Sequence, residues 1–349
     1  MIKKPILGIT MGDPSGIGPE IAVKALGLAE IYTICRPLLI GDARVMEKAV
    51  KEAVKRHDIT IHPVSSVDEC RFEYGYIDVY DLCNVEIDKF KTGSVDAMSG
   101  NAAFTSVKKA IELALTGEID ATITNPVNKE ALNLAGHHYA GHTEIYADLT
   151  GTKNYSMMLA EGDFRVVHVS THISLREACD RVKKDRILKV IELAHTTCQS
   201  LGIAEPKVAV AGLNPHAGEN GMFGREEIEE ISPAIETAVA KGIKVEGPIP
   251  PDTVFAKARC GLFDIVVAMY HDQGHIPLKV LGFQYDKTVG KLQDVKGVNI
   301  TLGLPIIRSS VDHGTAFGEA WQGSANESSL VSAIEYGVKL AENRGKRFI

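Results

Sequence analysis

Short apolar runs alternate along this chain with longer amphipathic stretches, and polar or glycine-rich turns separate them. Residues 5–10, 36–41, 77–82, 121–124, 157–160, 164–170, 207–212, 243–246 and 264–269 predict strands, followed after residue 297 by 298–302 and 306–309. Helices are predicted from Pro19, with Ile21, Ala22, Ala25 and Leu26 on one face, and over 43–54, 101–115, 184–201, 225–240 and 328–342. Segment 84–99 is polar and irregular and reads as a mobile loop. Strand–helix alternation of this kind predicts βαβ units and an α/β fold with mostly parallel sheets.

Three strands share a further pattern. The runs from Phe164 to His172, Val208 to His216 and Ile265 to His271 start too apolar to face water on either side, then turn polar and reach a histidine. Parallel strands buried on both faces read this way and carry functional groups at their carboxyl ends. A histidine in that place is commonly a satisfied polar group at the edge of the core. Three of them brought together would also suit a borderline divalent cation with positions left open for substrate. They lie far apart in the chain, and there is no His-Glu-x-x-His helix signature.

A length of 349 residues exceeds one compact core, so two domains are expected. A net charge of −7 and a pI of about 6.0 argue against nucleic acid as the main partner. Six scattered cysteines without a C-x-x-C pair suit free thiols in a reducing cytosol. No apolar run reaches the ~20 residues of a membrane helix, and Asp13 breaks the first apolar stretch, so neither a membrane span nor a secretory signal is expected. The expected location is cytoplasmic.

Polar clusters follow several strands. Gly12-Asp13-Pro14-Ser15-Gly16-Ile17-Gly18-Pro19-Glu20 is not the G-x-G-x-x-G dinucleotide fingerprint, but its glycines allow a tight turn and close approach, with Asp13 held at the strand's end. Asn125 to Lys129 should sit at the sheet's carboxyl edge. In Gly141-His142-Thr143-Glu144, Thr143 either caps the next helix or grips, with His142, an anion at a helix start. Tyr270 to His275 is a run of hydrogen-bonding side chains behind a buried strand. Lys279, Asn299 and Arg308 would read a phosphate or carboxylate if they converged; singly, Lys279 and Arg308 read as surface charges. Asp312-His313-Gly314-Thr315-Ala316 is either a simple turn or a nucleotide loop using the freedom of Gly314.

Taken together, the 12–20 turn, Gly141 to Glu144, Leu213 to Glu219, Tyr270 to Gly274, Gly297 to Pro305 and Ser310 to Ala316 resemble the 4-hydroxythreonine-4-phosphate dehydrogenases, NAD-dependent enzymes of vitamin B6 (pyridoxine) synthesis. The resemblance spans about residue 5 to residue 340, and the Gly-Ile-Gly-Pro-Glu turn is similar to that of the wider isocitrate and isopropylmalate dehydrogenase fold. It implies two α/β/α domains, 1–127 with 305–349 and 128–304, with the active cleft between them. It implies that His172, His216 and His271 are metal ligands in a site shared across a homodimer interface, incomplete in a lone subunit. His142, Thr143, Lys279, Asn299 and Arg308 match substrate-binding positions. Asp312, Gly314 and Thr315 fall in the expected NAD loop. The metal is left open among Zn, Co, Ni, Mn and Mg.

One departure concerns residues 283–296, an extension between Lys279 and Asn299. It resembles the branch of the family that acts on D-threonate or D-erythronate 4-phosphate in four-carbon sugar-acid breakdown; a surface hairpin with no part in specificity is the other reading. The implied reaction is oxidation at C3 of a four-carbon 4-phosphorylated acid, bearing an amine or a hydroxyl at C2, followed by decarboxylation. Lys279, Asp252 and Asp272 are the candidate bases. A metal-dependent hydrolase of a phosphorylated small molecule and a non-catalytic metabolite-binding protein are the rival expectations.

Overall fold

The computed structural model describes residues 3–282, 285–286, 291–292 and 296–344. Most of the 283–296 extension therefore lies outside the described residues, as does the end of the basic tail. The chain divides into two compact units, residues 1–153 with 304–342 and residues 154–303 with 343–349.

The first unit runs β1 (Ile6–Thr10), α1 (Gly18–Leu26), α2 (Ala29–Ile34), β2 (Arg36–Gly41), α3 (Ala43–Lys48), β3 (Thr60–Val64), β4 (Tyr76–Asp81), α4 (Ala97–Thr116), β5 (Ala121–Thr124), α5 (Lys129–Leu134) and α6 (His142–Leu149). The second follows with β6 (Ser156–Glu161), β7 (Phe164–His168), α7 (Leu175–Asp180), α8 (Lys184–Ser200), β8 (Val208–Ala211), α9 (Ser232–Ala240), β9 (Val245–Ile249), α10 (Pro251–Arg259), β10 (Ile265–Ala268), α11 (His271–Gly282), the short pair β11 (Tyr285–Asp286) and β12 (Lys291–Leu292), and β13 (Val298–Leu302). The chain returns to the first unit with β14 (Arg308–Val311) and α12 (Ser328–Glu342).

In the first unit the strands order as β3-β4-β2-β1-β5-β14, every pair parallel. In the second they order as β13-β6-β7-β10-β8-β9. There β7, β10, β8 and β9 are mutually parallel, and β6 is antiparallel to both β13 and β7. Strands β1, β5, β7, β8 and β10 are buried at every position, as their largely apolar sequences require when helices cover both faces. No helix among the described residues is long and apolar enough to cross a membrane.

Several expectations shift in detail. Edge strand β3 was not foreseen, because it is half-exposed and carries Pro63, which only an edge tolerates. The 225–240 helix opens as a π-helical turn, Glu227–Ile231, before α9; Pro233 lacks the N–H that would close a regular turn there. Segment 84–99 is fastened rather than loose. Ser15 Oγ donates to Lys91 O at 2.8 Å and Gly93 N donates to Ser15 O at 2.7 Å, while Asp96 caps α4 by accepting from Ser99 N at 2.9 Å.

The division between units falls at 153 rather than 127. Leu132, Ile145 and Tyr146 pack in one buried cluster with Phe104, Val107 and Ile111 of α4, so α5 and α6 belong with the first sheet. The second unit has its own core of Leu159, Val166, Ala209, Val254, Val266 and Leu278.

Candidate functional site

In the first unit, β5 ends at Thr124, and β14 begins at Arg308, in register with Thr122 and only 2% exposed. Thr124 Oγ1 accepts from Arg308 Nη2 at 3.0 Å and from Nε at 3.3 Å, and Nη1 reaches Thr143 Oγ1 at 3.4 Å. The guanidinium lies 5.3 Å over the ring of buried Tyr146. Burial pushes the Arg308 guanidinium down to about 10, against the opposing pull of Tyr146 and Glu144. Burial, with the Arg308 charge adding to it, holds His142 neutral, and its Nε2 is covered without a hydrogen-bond partner among the described residues. Thr143 is therefore not the helix cap: Gly141 stands there, and Thr143 lies one residue inside α6. A dry guanidinium, a threonine hydroxyl and a helix start on one spot suit a phosphate or carboxylate.

The glycine turn lies at the carboxyl end of β1. Gly12 has φ +77°, and a Cβ there would stand 2.7 Å from Pro126 O, so only glycine lets Asp13 N donate to Pro126 O at 2.8 Å. Asp13 is fully buried; Oδ1 accepts from Ser15 N at 2.9 Å and Oδ2 has no partner among the described residues. Burial, together with the nearby Asp96 charge, raises its carboxyl to about 7. The expected nucleotide loop is tied to this same turn. Ile17 N donates to Thr315 O at 3.0 Å, and Asp312 N donates to Ser329 Oγ at 3.3 Å. Gly314 does not use the left-handed freedom that glycine permits, and a Cβ there would meet nothing within 4 Å.

In the second unit the sites centre on the ends of β7, β8 and β10. Gln273, buried in the first turn of α11, accepts from Met269 N at 2.6 Å and donates to Gly212 O at 2.8 Å, joining the ends of β10 and β8. His271 opens α11, with Nδ1 2.7 Å from Asp272 Oδ1. That contact assigns the proton to Nδ1 and leaves the Nε2 lone pair for a ligand. The rings of His172 and His271 are 5.8 Å apart. The stacked ring of His275 lies 3.6 Å from His271 at an interplanar angle of 11°.

His216 is elsewhere: its Nδ1 is 3.5 Å from Glu219 Oε2 and its ring 6.3 Å from Phe223. It begins a run of positive φ, +54°, +54°, +80°, +42° and +57° through Asn220. Left-handed backbone costs roughly 1–2 kcal/mol per non-glycine residue. The turn is held by Glu227, 3% exposed, whose Oε1 accepts from Leu213 N and Asn214 N at 2.8 Å each and whose Oε2 accepts from Asn214 Nδ2 at 2.9 Å.

Of the three predicted metal ligands, the chain thus brings His172 and His271 together and leaves His216 apart. Among the described residues no three His, Cys, Asp or Glu side chains form a complete ligand set. The donors fit a borderline cation as a partial set: two neighbouring imidazoles, one oriented by a carboxylate. Asp272 is the orienting group, and Asp252 lies exposed in the first turn of α10. Lys279 is eight residues along α11 from His271, a rise of about 12 Å, and its charge acts on Glu161 at the end of β6. Asn299 Nδ2 donates to Met157 Sδ at 2.9 Å, and its buried Oδ1 has no partner among the described residues.

Two further histidines near these strand ends, His168 and His275, received no role from the sequence. His168, the last residue of β7, is fully buried and pushed down to about 3, mainly by burial. His275 bridges it to His271, 4.7 Å from the His168 ring. The i, i+4 spacing of His271 and His275 was a legible signal for a shared helix face, had the helix itself been predicted.

Comparison with known proteins extends these observations. The family model described as "Pyridoxal phosphate biosynthetic protein PdxA" matches residues 33–337. A D-threonate 4-phosphate dehydrogenase from Cupriavidus necator is 47% identical over 341 residues, covering 97% of this chain and 98% of that protein. A crystal structure of 4-hydroxythreonine-4-phosphate dehydrogenase from Klebsiella pneumoniae superposes with a TM-score of 0.85 at 42% identity, covering 97% of this chain and 100% of that one. One from Burkholderia phymatum does so with 0.83 at 45% identity, covering 97% and 98%. These proteins share the α/β architecture found here, and the chain belongs to the PdxA family.

Proposed function

We propose that this chain is an NAD-dependent, divalent-metal-dependent dehydrogenase of D-threonate 4-phosphate, working as a cytoplasmic homodimer. The carrying observation is the buried Arg308 guanidinium beside Thr143 at the start of α6, a chemistry that suits the anionic end of a phosphorylated acid. The name of the Cupriavidus relative, over nearly the whole chain, supports the choice among four-carbon acids.

In this reading Arg308, Thr143 and His142 bind the anionic substrate, with Lys279 and Asn299 completing its contacts. Asp312, Gly314 and Thr315 border the NAD; the open space at Gly314 admits a ligand close to the backbone. His172, His216 and His271 would hold the metal in a site shared across the homodimer. When bound, a divalent cation supplies Lewis acidity at the substrate's C3 oxygen. A base drawn from Lys279, Asp252 and Asp272 would take the C3 hydroxyl proton, and NAD, where bound, would supply the acceptor for the C3 hydride, so that the alcohol is oxidised as NAD is reduced. The resulting β-keto acid would lose CO2, the electron pair of the broken C1–C2 bond staying with C2, which takes up a proton to give the ketone.

The test is NADH formation at 340 nm with D-threonate 4-phosphate, D-erythronate 4-phosphate and 4-hydroxy-L-threonine 4-phosphate side by side. The highest kcat/KM is expected with the first. No NADH from any of them in metal-loaded protein overturns the reading.

A further inference from the structure

We propose that His275 is a positioning residue for His271, fixing the imidazole plane that the metal requires. The inference rests on the reading of His271 as a ligand. Residues four apart on a helix are neighbours on one face. Here that neighbourhood is a face-to-face stack, with centroids 3.6 Å apart and planes 11° from parallel. A histidine at the first turn of a helix otherwise rotates about χ2 as a broad, two-fold torsion. A parallel ring in van der Waals contact removes that freedom.

His275 is itself fixed from two sides. Its Nδ1 lies 2.9 Å from His271 O, which assigns a proton to that nitrogen and ties the ring to its neighbour's backbone. Beyond it stands His168, 4.7 Å away and inclined by 40°, fully buried at the end of β7 and anchored by Nδ1 to Met157 O at 3.2 Å. Gly274 makes this approach possible, since a Cβ there would run into Nε2 and Cδ2 of the His168 ring. The order is therefore strand end, His168, His275, His271, with His172 on the open side, 5.8 Å from His271.

Asp272 sets which nitrogen of His271 carries the proton, and His275 sets the direction in which the other points. Both are needed for a ligand whose lone pair is aimed before the metal arrives, and groups of this kind contribute about 10–100-fold to metal affinity. Preorganisation also lowers the ordering entropy lost on binding.

The experiment titrates metal-free protein with Co2+, reading affinity against a competing chromophoric chelator and geometry from the d–d absorption band. Thermal unfolding of each metal-free variant checks the fold. His275→Ala is expected to weaken Co2+ binding about 10–100-fold and alter the band. His275→Phe keeps the stack without the backbone bond and is expected to stay within about threefold of the parent protein. His275→Asn keeps a donor without the ring and should behave as Ala does. Wild-type affinity and spectrum in the Asn or Ala variant, or a Phe variant as weak as Asn, overturns the positioning role. His271→Ala is the control. If it also keeps wild-type Co2+ affinity, the ligand reading itself fails and the role of His275 falls with it. If it loses Co2+ while His275→Asn does not, only the positioning role is lost.

Discussion

Thr124 Oγ1 accepts two N–H groups from Arg308, and this pairing aims a dry guanidinium at the start of α6. Arg308→Met should separate stability from function. The folded guanidinium is held down at about 10 against an ordinary 12.5, so burial opposes the cation. This is a base with a depressed folded pKa: the penalty is complete below pH 10 and relieved only above it. Urea unfolding should show a gain of about 1–3 kcal/mol, constant between pH 6 and 9, with KM for the phosphorylated acid raised about 10–100-fold. Thr124→Val, close in volume, should raise KM about tenfold by loosening the aim. An unchanged KM in both variants removes Arg308 from substrate binding.

Asp13 predicts a stability effect of the opposite pH form. Its carboxyl rises from 3.8 to about 7 on folding. Between those values the folded state holds a proton that the unfolded state has lost, so stability falls as pH rises through this window. Asp13→Asn keeps the acceptor for Ser15 N and cannot ionise. Its advantage over the parent protein should be near zero at pH 4 and reach about 2–4 kcal/mol at pH 8. Denaturant unfolding at the two values checks it, and an advantage independent of pH contradicts it.

Glu227 restrains a strained turn that carries an exposed histidine. Glu227→Ala strands Leu213 N and Asn214 N, each an orphaned donor costing about 1–3 kcal/mol, while Asn214 Nδ2 keeps Glu226 Oε2 as its acceptor. A loss of about 3 kcal/mol or more in global stability is expected, together with faster amide exchange over residues 212–222. Exchange rates unchanged in that loop would show that the left-handed backbone holds itself.

The separation of His216 from His172 and His271 makes the metal reading testable by complementation. Chelator-treated protein should lose turnover and regain it with Co2+ or Zn2+. His216→Ala and His271→Ala should each be inactive yet folded, since His216 is 69% exposed. If the homodimer shares the site so that these two ligands come from different chains, a mixed dimer keeps one intact site. Dissociated and re-associated mixtures should then recover about a quarter of wild-type activity. No recovery, with mixed dimers shown by mass spectrometry, places His216 and His271 in one chain's site or removes one of them from it.

Strand–helix alternation, the buried character of β7, β8 and β10, and the chemistry gathered at strand ends were all legible as local periodicities, because period-2 and period-3.6 patterns are written in neighbouring residues. So were the motifs that align this chain with its family. The short helices α5 and α11 were not, since α5 has only six residues and the twelve of α11 are interrupted by Gly274 and Pro277, so both carry little periodic signal. That omission hid the stack of His275 on His271.

Arg308 read equally as a surface cation until β5, α6 and Tyr146 closed over it. Asp13 read as a turn residue until Pro126 and the 91–99 segment covered it. In both cases the side chain's identity is local, while its solvation belongs to segments distant in the chain. Desolvation sets whether a charge is held, moved or lost, and only the packed chain decides it.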